Sequence, residues 1–395
     1  MEHFDQLYQA LNEVVGYIYP NEIELRWSIL IVLYPYITGL VAGAFILASL
    51  NRVFDIKELK PTYEISLLAA LAFLLVATMP LISHLGHPER FYELMMTPHS
   101  SSAMAIFGFV YIWYLMVVLL LEIWFDYRRD FVVWSQESKG LKKFLYKILT
   151  LGSNDISPKA LKLDDKLGYI ITVVGIPSAF LLHGYVGFIF GSVKANPWWS
   201  SVMMPVIFLF SAMVSGIALV LVTYMVINYL RKQKIDMQCL DAIGKYLFYI
   251  IIIDFTLESL DQIHRIYEAE ESFDIISLLI SGKLFFTLSI MQVLVGTLIP
   301  LFILGFFQFY KPKEIVRKAA YFTIGIFVLV GIFFMRWNVV IGGQLFSKSF
   351  YGFTSYKIGL IGGEGMLAAG VWMIVPILIL IFLLWLLPPW KKQHS

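Results

Sequence analysis

Nine long apolar stretches, separated by short polar segments, leave this chain few ways to fold. They run over roughly Trp27–Leu50, Glu64–Ser83, Ala103–Phe125, Leu167–Phe190, Val202–Leu230, Lys245–His264, Leu278–Phe309, Val316–Ile341 and Met366–Leu387. Each reaches the roughly 20 residues a helix needs to cross the hydrocarbon core of a bilayer. In lipid every backbone N–H and C=O must be satisfied within the protein, so spanning segments of this length are helices. Composition agrees: 59% of residues are apolar, 15% are charged and the mean hydropathy is +0.76, more than any soluble core requires. The expected fold is an all-α integral membrane protein. Four helices, a basic loop at 126–166, four more helices and a last one suit two four-helix bundles plus one C-terminal helix. Residues 1–26 form an external segment, 27–388 the transmembrane domain and 389–395 a tail.

Lysine and arginine set the expected orientation. Of the 30 in the chain, 22 fall in alternate loops and the tail: Arg52 to Lys60, Arg128 to Lys166, Arg231 to Lys245, Lys311 to Lys318, and Lys391 with Lys392. The intervening loops hold six, namely Arg26, Arg90, Lys194, Arg265, Lys348 and Lys357, while Lys283 and Arg336 lie within helices. Basic residues accumulate on the cytoplasmic side, so the N-terminus is expected outside and the C-terminus inside, in a multi-pass protein of the cytoplasmic membrane. The first 26 residues are polar and acidic, which is not the pattern of a cleavable signal sequence.

The sixth stretch is the costly one. Phe248 to Arg265 carries Asp254, Glu258 and Asp261, then His264 and Arg265. At about 100° per residue, positions 254, 258, 261 and 265 share one helical face. A charge within the bilayer costs a few kcal/mol or more, so an intramembrane acid is a functional hypothesis by default. A rise of about 1.5 Å per residue puts Asp254 near mid-membrane and His264 near the outer surface. The other ionisable and polar groups gather on the same side: His84, His87, Glu89 and Arg90, then His183 and Tyr185, Lys283, Arg336, Asn338, Gln344 and Glu364. Toward the inner side lie only Glu122 and Asp126, at the end of the third stretch, and the loop charges.

A ligand that reaches an outer membrane site through lipid, and needs hydrogen-bond partners for two oxygens and acceptors for two protons, is a quinol. Haem is not expected, because His84, His183 and His264 form no pair on one helix. The single cysteine, Cys239, excludes a disulfide framework, a cysteine-held iron–sulfur cluster and a cysteine zinc site. A structural alternative stands beside the chemical one. The acids can pair with Lys283, Arg336 and Arg265 for assembly, His183 can be a hydrogen-bonded packing residue, and Glu89–Arg90 an interfacial cap.

Three runs carry a family resemblance. His84-Leu85-Gly86-His87-Pro88-Glu89-Arg90 resembles the acid-Leu-Gly-x-Pro-x-Arg motif that closes an early helix in the NrfD/PsrC (polysulfide reductase membrane subunit) family. Ser192-Val193-Lys194-Ala195-Asn196-Pro197-Trp198-Trp199, followed by a helix with Pro205, Phe208, Leu209, Ser211, Ala212 and Gly216, is a second match. Arg336-Trp337-Asn338-Val339-Val340-Ile341-Gly342-Gly343-Gln344 resembles the branch containing HybB and DsrP, with DsrP the closer match. The resemblance extends over about residues 27 to 388. It implies a quinone-interacting subunit of a multisubunit iron–sulfur/cytochrome oxidoreductase complex. Such a subunit has no redox cofactor of its own, binds menaquinone near the outer face and exchanges electrons with a docked ferredoxin-like iron–sulfur subunit. A DsrP-like chain implies further partners: a multihaem cytochrome c and other membrane and cytoplasmic subunits of a sulfur-metabolism complex. Two departures are visible. His84 stands where the family motif has an acid, and nine helices are counted where the HybB-like branch commonly has ten.

On this reading His183 and Tyr185 are the expected partners of the quinone oxygens, with His84 and Arg90 at the mouth. Asp254, Glu258 and Asp261 are the expected proton carriers, with Arg336 as their buried counter-charge. Two other classes compete. Midplane acids and kinked helices also suit an ion-coupled secondary transporter, and the chain could be a structural anchor for an external redox protein.

Overall fold

The computed structural model describes residues 14–97, 99, 101–267 and 272–391. Among the described residues nine long helices follow in chain order: α1 (Ile29–Arg52), α2 (Lys57–His84), α3 (Ala103–Glu137), α4 (Pro158–Gly191), α5 (Met204–Leu230), α6 (Met237–Tyr267), α7 (Phe285–Phe309), α8 (Glu314–Val340) and α9 (Met366–Leu386). Eight of them are long and apolar enough to cross a membrane; α6, which carries the acids, is the exception by composition. The protein is a helical, multi-pass integral membrane protein.

The centre of the molecule is α1, which packs against α2, α4, α5 and α8 and is buried from Ile29 to Ser49. Without a hydrophobic force between helices in lipid, small residues that admit close backbone approach decide where helices cross. Gly43 and Gly216 do this for α1 and α5: a Cβ added at Gly43 would sit 2.1 Å from the Ala212 carbonyl oxygen. The first four helices pack on one another, as do α5 to α8, and α9 lies along α2.

The two ends of the bundle differ in chemistry, and each gathers the loops that the lysine and arginine alternation groups together. At the basic end Arg52 pairs with Asp126 (3.4 Å) and Asp165 (2.9 Å), Arg128 with Asp164 (2.5 Å), and Arg231 lies 3.8 Å over the Trp390 ring. Just inside this end, buried Glu122 accepts from Tyr63 (3.2 Å) and Thr172 (2.8 Å). At the far end strand β1 (Val15–Tyr17) pairs antiparallel with β2 (Tyr351–Phe353), and Gln344 bonds the backbone of Trp27. Helix α6 runs the full distance. Asp241 near its start bonds Arg317 and Tyr321 at the basic end, and Arg265 near its finish reaches the Pro197 carbonyl at the far end.

Three boundaries differ from the sequence reading. The loop placed at 126–166, read as a surface helix plus coil, has its short helix at Gly140–Leu149, but α3 continues into it to Glu137 and α4 begins within it at Pro158. Ser157 caps α4 by accepting from the Ala160 N–H, and Pro158 occupies the first turn, where its missing N–H costs nothing. The stretch placed at 278–309 is divided, because Gly282 leaves helical geometry between a short helix Phe273–Ser281 and α7. Helix α6 also begins eight residues before the expected Lys245, since its first turns lie beyond the apolar core.

Candidate functional site

The acidic face of α6 is turned inward. Asp254, Asp261 and Arg265 are buried, and Glu258 is partly exposed. The three acids meet three different fates. Asp261 is held by Arg265 one turn on (3.2 Å) and by the Ser201 hydroxyl, while Arg265 also reaches the carbonyls of Pro197 and Ser200. That outer rung is a charge paired within the protein. Glu258 accepts from the Gln292 side-chain amide at both oxygens, at 3.3 and 3.2 Å. Asp254 presents Oδ1 with no hydrogen-bond partner among the described residues.

Arg336 of α8 faces Asp254 and Glu258, and both carboxylates act on its guanidinium electrostatically. No direct ion pair joins it to either acid among the described residues. Its Nη2 bonds elsewhere, to His183 Nε2 (3.0 Å), the Ser211 hydroxyl (2.7 Å) and the Phe208 carbonyl (3.4 Å), its Nε has no hydrogen-bond partner among the described residues, and the guanidinium lies 4.0 Å over the Phe208 ring. A guanidinium only donates, so His183 Nε2 must accept and its hydrogen sits on Nδ1. The His183 ring also stacks on Phe208 at 5.7 Å, and a Cβ at Gly39 of α1 would come within 3.2 Å of it.

Beside this network lies a cavity of about 170 Å³ among α5, α6, α7 and α8. Its polar wall is Glu258, Ser259, Asp261, Gln262, Gln292 and Asn338; the rest is apolar, including Phe255, Ile207 and Leu288. Glu258, Ser259 and Gln262 are partly exposed, so the cavity is reachable from outside. Two features shape it. Helix α7 is π-helical from Phe285 to Leu298, a winding that recurs at functional sites, and this stretch holds Gln292. The segment between α4 and α5 is pinned over the end of α8. Trp198 donates to the Asn338 carbonyl (2.8 Å), Trp199 to that of Val339 (2.6 Å) and Asn196 to that of Gly343 (2.6 Å).

Of the expected proton carriers, Asp254 and Glu258 come together with Arg336, while Asp261 lies a turn further on, paired with Arg265. The four residues expected to bind quinone do not converge. His183 is buried against Arg336, facing away from lipid. Tyr185 turns toward α3, donating to the Ala103 carbonyl (2.8 Å) and stacking on Phe107. His84 pairs with Glu364 (3.0 Å), and Arg90 makes two 2.8 Å bonds to Glu93 on the exposed surface. None of the four lines the cavity. Tyr185 lies a fraction of a turn from His183 on α4, and two residues of separation place them on different faces. Gln292, Ser259 and Gln262 are additions that the sequence reading does not contain, and Trp198 enters there only as part of the Ser192–Trp199 run. An amide in the middle of an apolar helix is the one available signal for Gln292.

These features define a helical membrane protein with a buried charged network beside a cavity of mixed polarity. The chain belongs to the polysulphide reductase NrfD family, whose model matches residues 20–348. It is similar to a selenate reductase subunit of Mesobacillus selenatarsenatis, with 31% identity over 323 residues, 80% of this chain and 73% of that protein. It is also similar to the Haemophilus influenzae NrfD homolog, at 24% over 347 residues, 85% of this chain and 99% of that one. A putative dimethyl sulfoxide reductase membrane subunit of Halobacterium salinarum matches at 27% over 229 residues, 56% of this chain and 48% of that protein.

Proposed function

We propose that this chain is the quinone-binding membrane subunit of a multisubunit oxidoreductase complex, and that its quinone site is the cavity at Glu258. The observation that carries this reading is the cavity itself: apolar walls, convergent amides and one partly exposed carboxylate within a helical bundle, the build of a site for a small amphiphile. The relatives named as reductase subunits support it. We place α6 as a ninth membrane span, the N-terminus outside and the cavity toward the outer face, following the distribution of basic residues. A quinol oxidised there breaks two O–H bonds and becomes the quinone. Two electrons pass to a docked ferredoxin-like iron–sulfur protein, and two protons pass to Glu258 and Asp254 and leave past Asp261. The reverse reaction uses the same groups. Menaquinone as the ligand, and a multihaem cytochrome c among the partners of a DsrP-like sulfur-metabolism complex, rest on the run Arg336 to Gln344.

Glu258→Gln tests the assignment, since Gln keeps the hydrogen-bonding shape and cannot take up a proton as the carboxylate does. General acid–base groups contribute roughly 10²- to 10⁴-fold. Quinol-dependent electron transfer by the purified complex is expected to fall at least about 100-fold on that basis, with normal accumulation in the membrane. Turnover at the unsubstituted rate would overturn the reading.

A further inference from the structure

The cavity holds an acceptor with nothing to accept. Asn338 is 2% exposed and lines the cavity, and its Oδ1 has no hydrogen-bond partner among the described residues. Its Nδ2 donates to Gln292 Oε1 (2.8 Å), and Gln292 Nε2 donates to both oxygens of Glu258. The polarity of this chain of amides is set by its far end. An ionised carboxylate only accepts, so Gln292 must turn its NH₂ toward Glu258 and its oxygen toward Asn338. Asn338 must then answer with its NH₂, which leaves its oxygen facing the cavity.

Protonation of Glu258 permits the opposite chain. The carboxylic acid donates to Gln292 Oε1, Gln292 Nε2 donates to Asn338 Oδ1, and the Asn338 NH₂ turns to the cavity. Each neighbouring pair keeps a hydrogen bond in the reversal, the two Gln292–Glu258 contacts becoming one; two terminal amides rotate by about 180°, a soft torsion. The group offered to a ligand changes from acceptor to donor. A quinol hydroxyl is a donor, and a quinone carbonyl accepts only. We propose that Gln292 and Asn338 form an amide relay through which the protonation state of Glu258 selects the redox form of the ligand: quinol when Glu258 is ionised, quinone when it is protonated. This rests on the cavity being the quinone site. It gives a chemical reason for product to replace substrate in place, because a proton delivered to Glu258 presents a donor to the newly formed carbonyl.

The charged groups around Glu258 bear on its titration. Asp254, Asp261 and Arg265 share its helix, Arg336 approaches from α8, and His183 stands behind Arg336 from α4. Asn338 and Gln292 are the two uncharged positions at which the relay can be cut without removing any of these.

The test is equilibrium binding of menadione, and of menadiol kept reduced by dithionite, to the purified full chain in lipid nanodiscs between pH 5.5 and pH 9 (about the range in which a buried carboxylate titrates). In the unsubstituted protein the preference for menadiol over menadione is expected to rise about tenfold as Glu258 ionises, the value of one matched against one mismatched buried hydrogen bond. Asn338→Leu and Gln292→Met are each expected to bind both forms with a preference that no longer changes with pH. A constant preference in the unsubstituted protein, or a pH-dependent one that survives both substitutions, overturns the relay. Failure of the unsubstituted protein to bind either form overturns the quinone site instead.

Discussion

Arg336 is where a single side chain decides the most. It is fully buried; His183, Ser211 and the Phe208 carbonyl take up its Nη2 alone, its Nε has no hydrogen-bond partner among the described residues, and the carboxylates of Asp254 and Glu258 act on its charge. A buried donor left without its partner costs about 1–3 kcal/mol, more when it is charged. His183→Ala removes an acceptor and a stacked ring together. It is expected to lower stability by about 3 kcal/mol and to reduce quinol-dependent electron transfer, whereas His183→Gln restores an acceptor and recovers part of both. The measurement is the thermal midpoint of the purified protein beside its turnover. If Gln recovers neither, the imidazole does more than hold Arg336. At this scale the acids and Arg336 are legible in the sequence from their cost alone, since a charge in an apolar stretch stands out wherever its partner is. The bond from Arg336 to His183 across 153 residues of chain is not, because nothing local encodes which face of α4 meets α8.

Among the elements, α7 and α8 form the joint on which the cavity hangs. Gly296 and Gly331 meet so closely that a Cβ on either would lie 2.4 or 2.3 Å from the other's Cα. Gln292 is four residues before Gly296 and Asn338 seven after Gly331, so the crossing sets their 2.8 Å contact. Gly296→Leu is expected to wedge the helices apart, to cost about 1–3 kcal/mol by overpacking and to abolish menadione binding. Gly370→Leu on α9, with no atom within 4 Å of its Cβ position, is expected to change neither. Menadione titration and the thermal midpoint, run on both, separate a local joint from general fragility; unchanged binding by the Gly296 variant would refute the joint. The helices themselves are legible because lipid permits little else. Their ends are not, where α3, α4 and α6 continue past the apolar core on polar residues that hydropathy discounts. Nor is the π-winding of α7: it depends on what its side chains meet across the crossing, a tertiary matter that a period of 3.6 residues does not report.

For the whole molecule the open matter is how a helix as charged as α6 sits among eight apolar ones. Its acids and Arg265 point into protein, while Ile252, Ile253, Leu260 and Ile263 are exposed along its other side. If α6 crosses as proposed, that arrangement lowers the cost of its charges by keeping them from lipid, as intramembrane ionisable residues generally require. A full crossing puts the two ends of α6 on opposite sides of the membrane. Gln238 is exposed at the basic end and Tyr267 at the far end, and the one native cysteine, Cys239, is buried and so gives little background to a thiol reagent. Gln238→Cys and Tyr267→Cys therefore report the crossing directly. A membrane-impermeant maleimide added to intact cells, or to spheroplasts where an outer membrane bars access, is expected to label Tyr267→Cys and to leave Gln238→Cys unlabelled until the membrane is opened. Labelling of both from outside would mean that α6 does not cross, and the count would fall to the eight apolar helices. Labelling of Gln238→Cys alone would keep the crossing and invert it. The cavity at Glu258 would then open toward the cytoplasmic half, and the protons of a quinol oxidised there would be released on the opposite side from the one proposed.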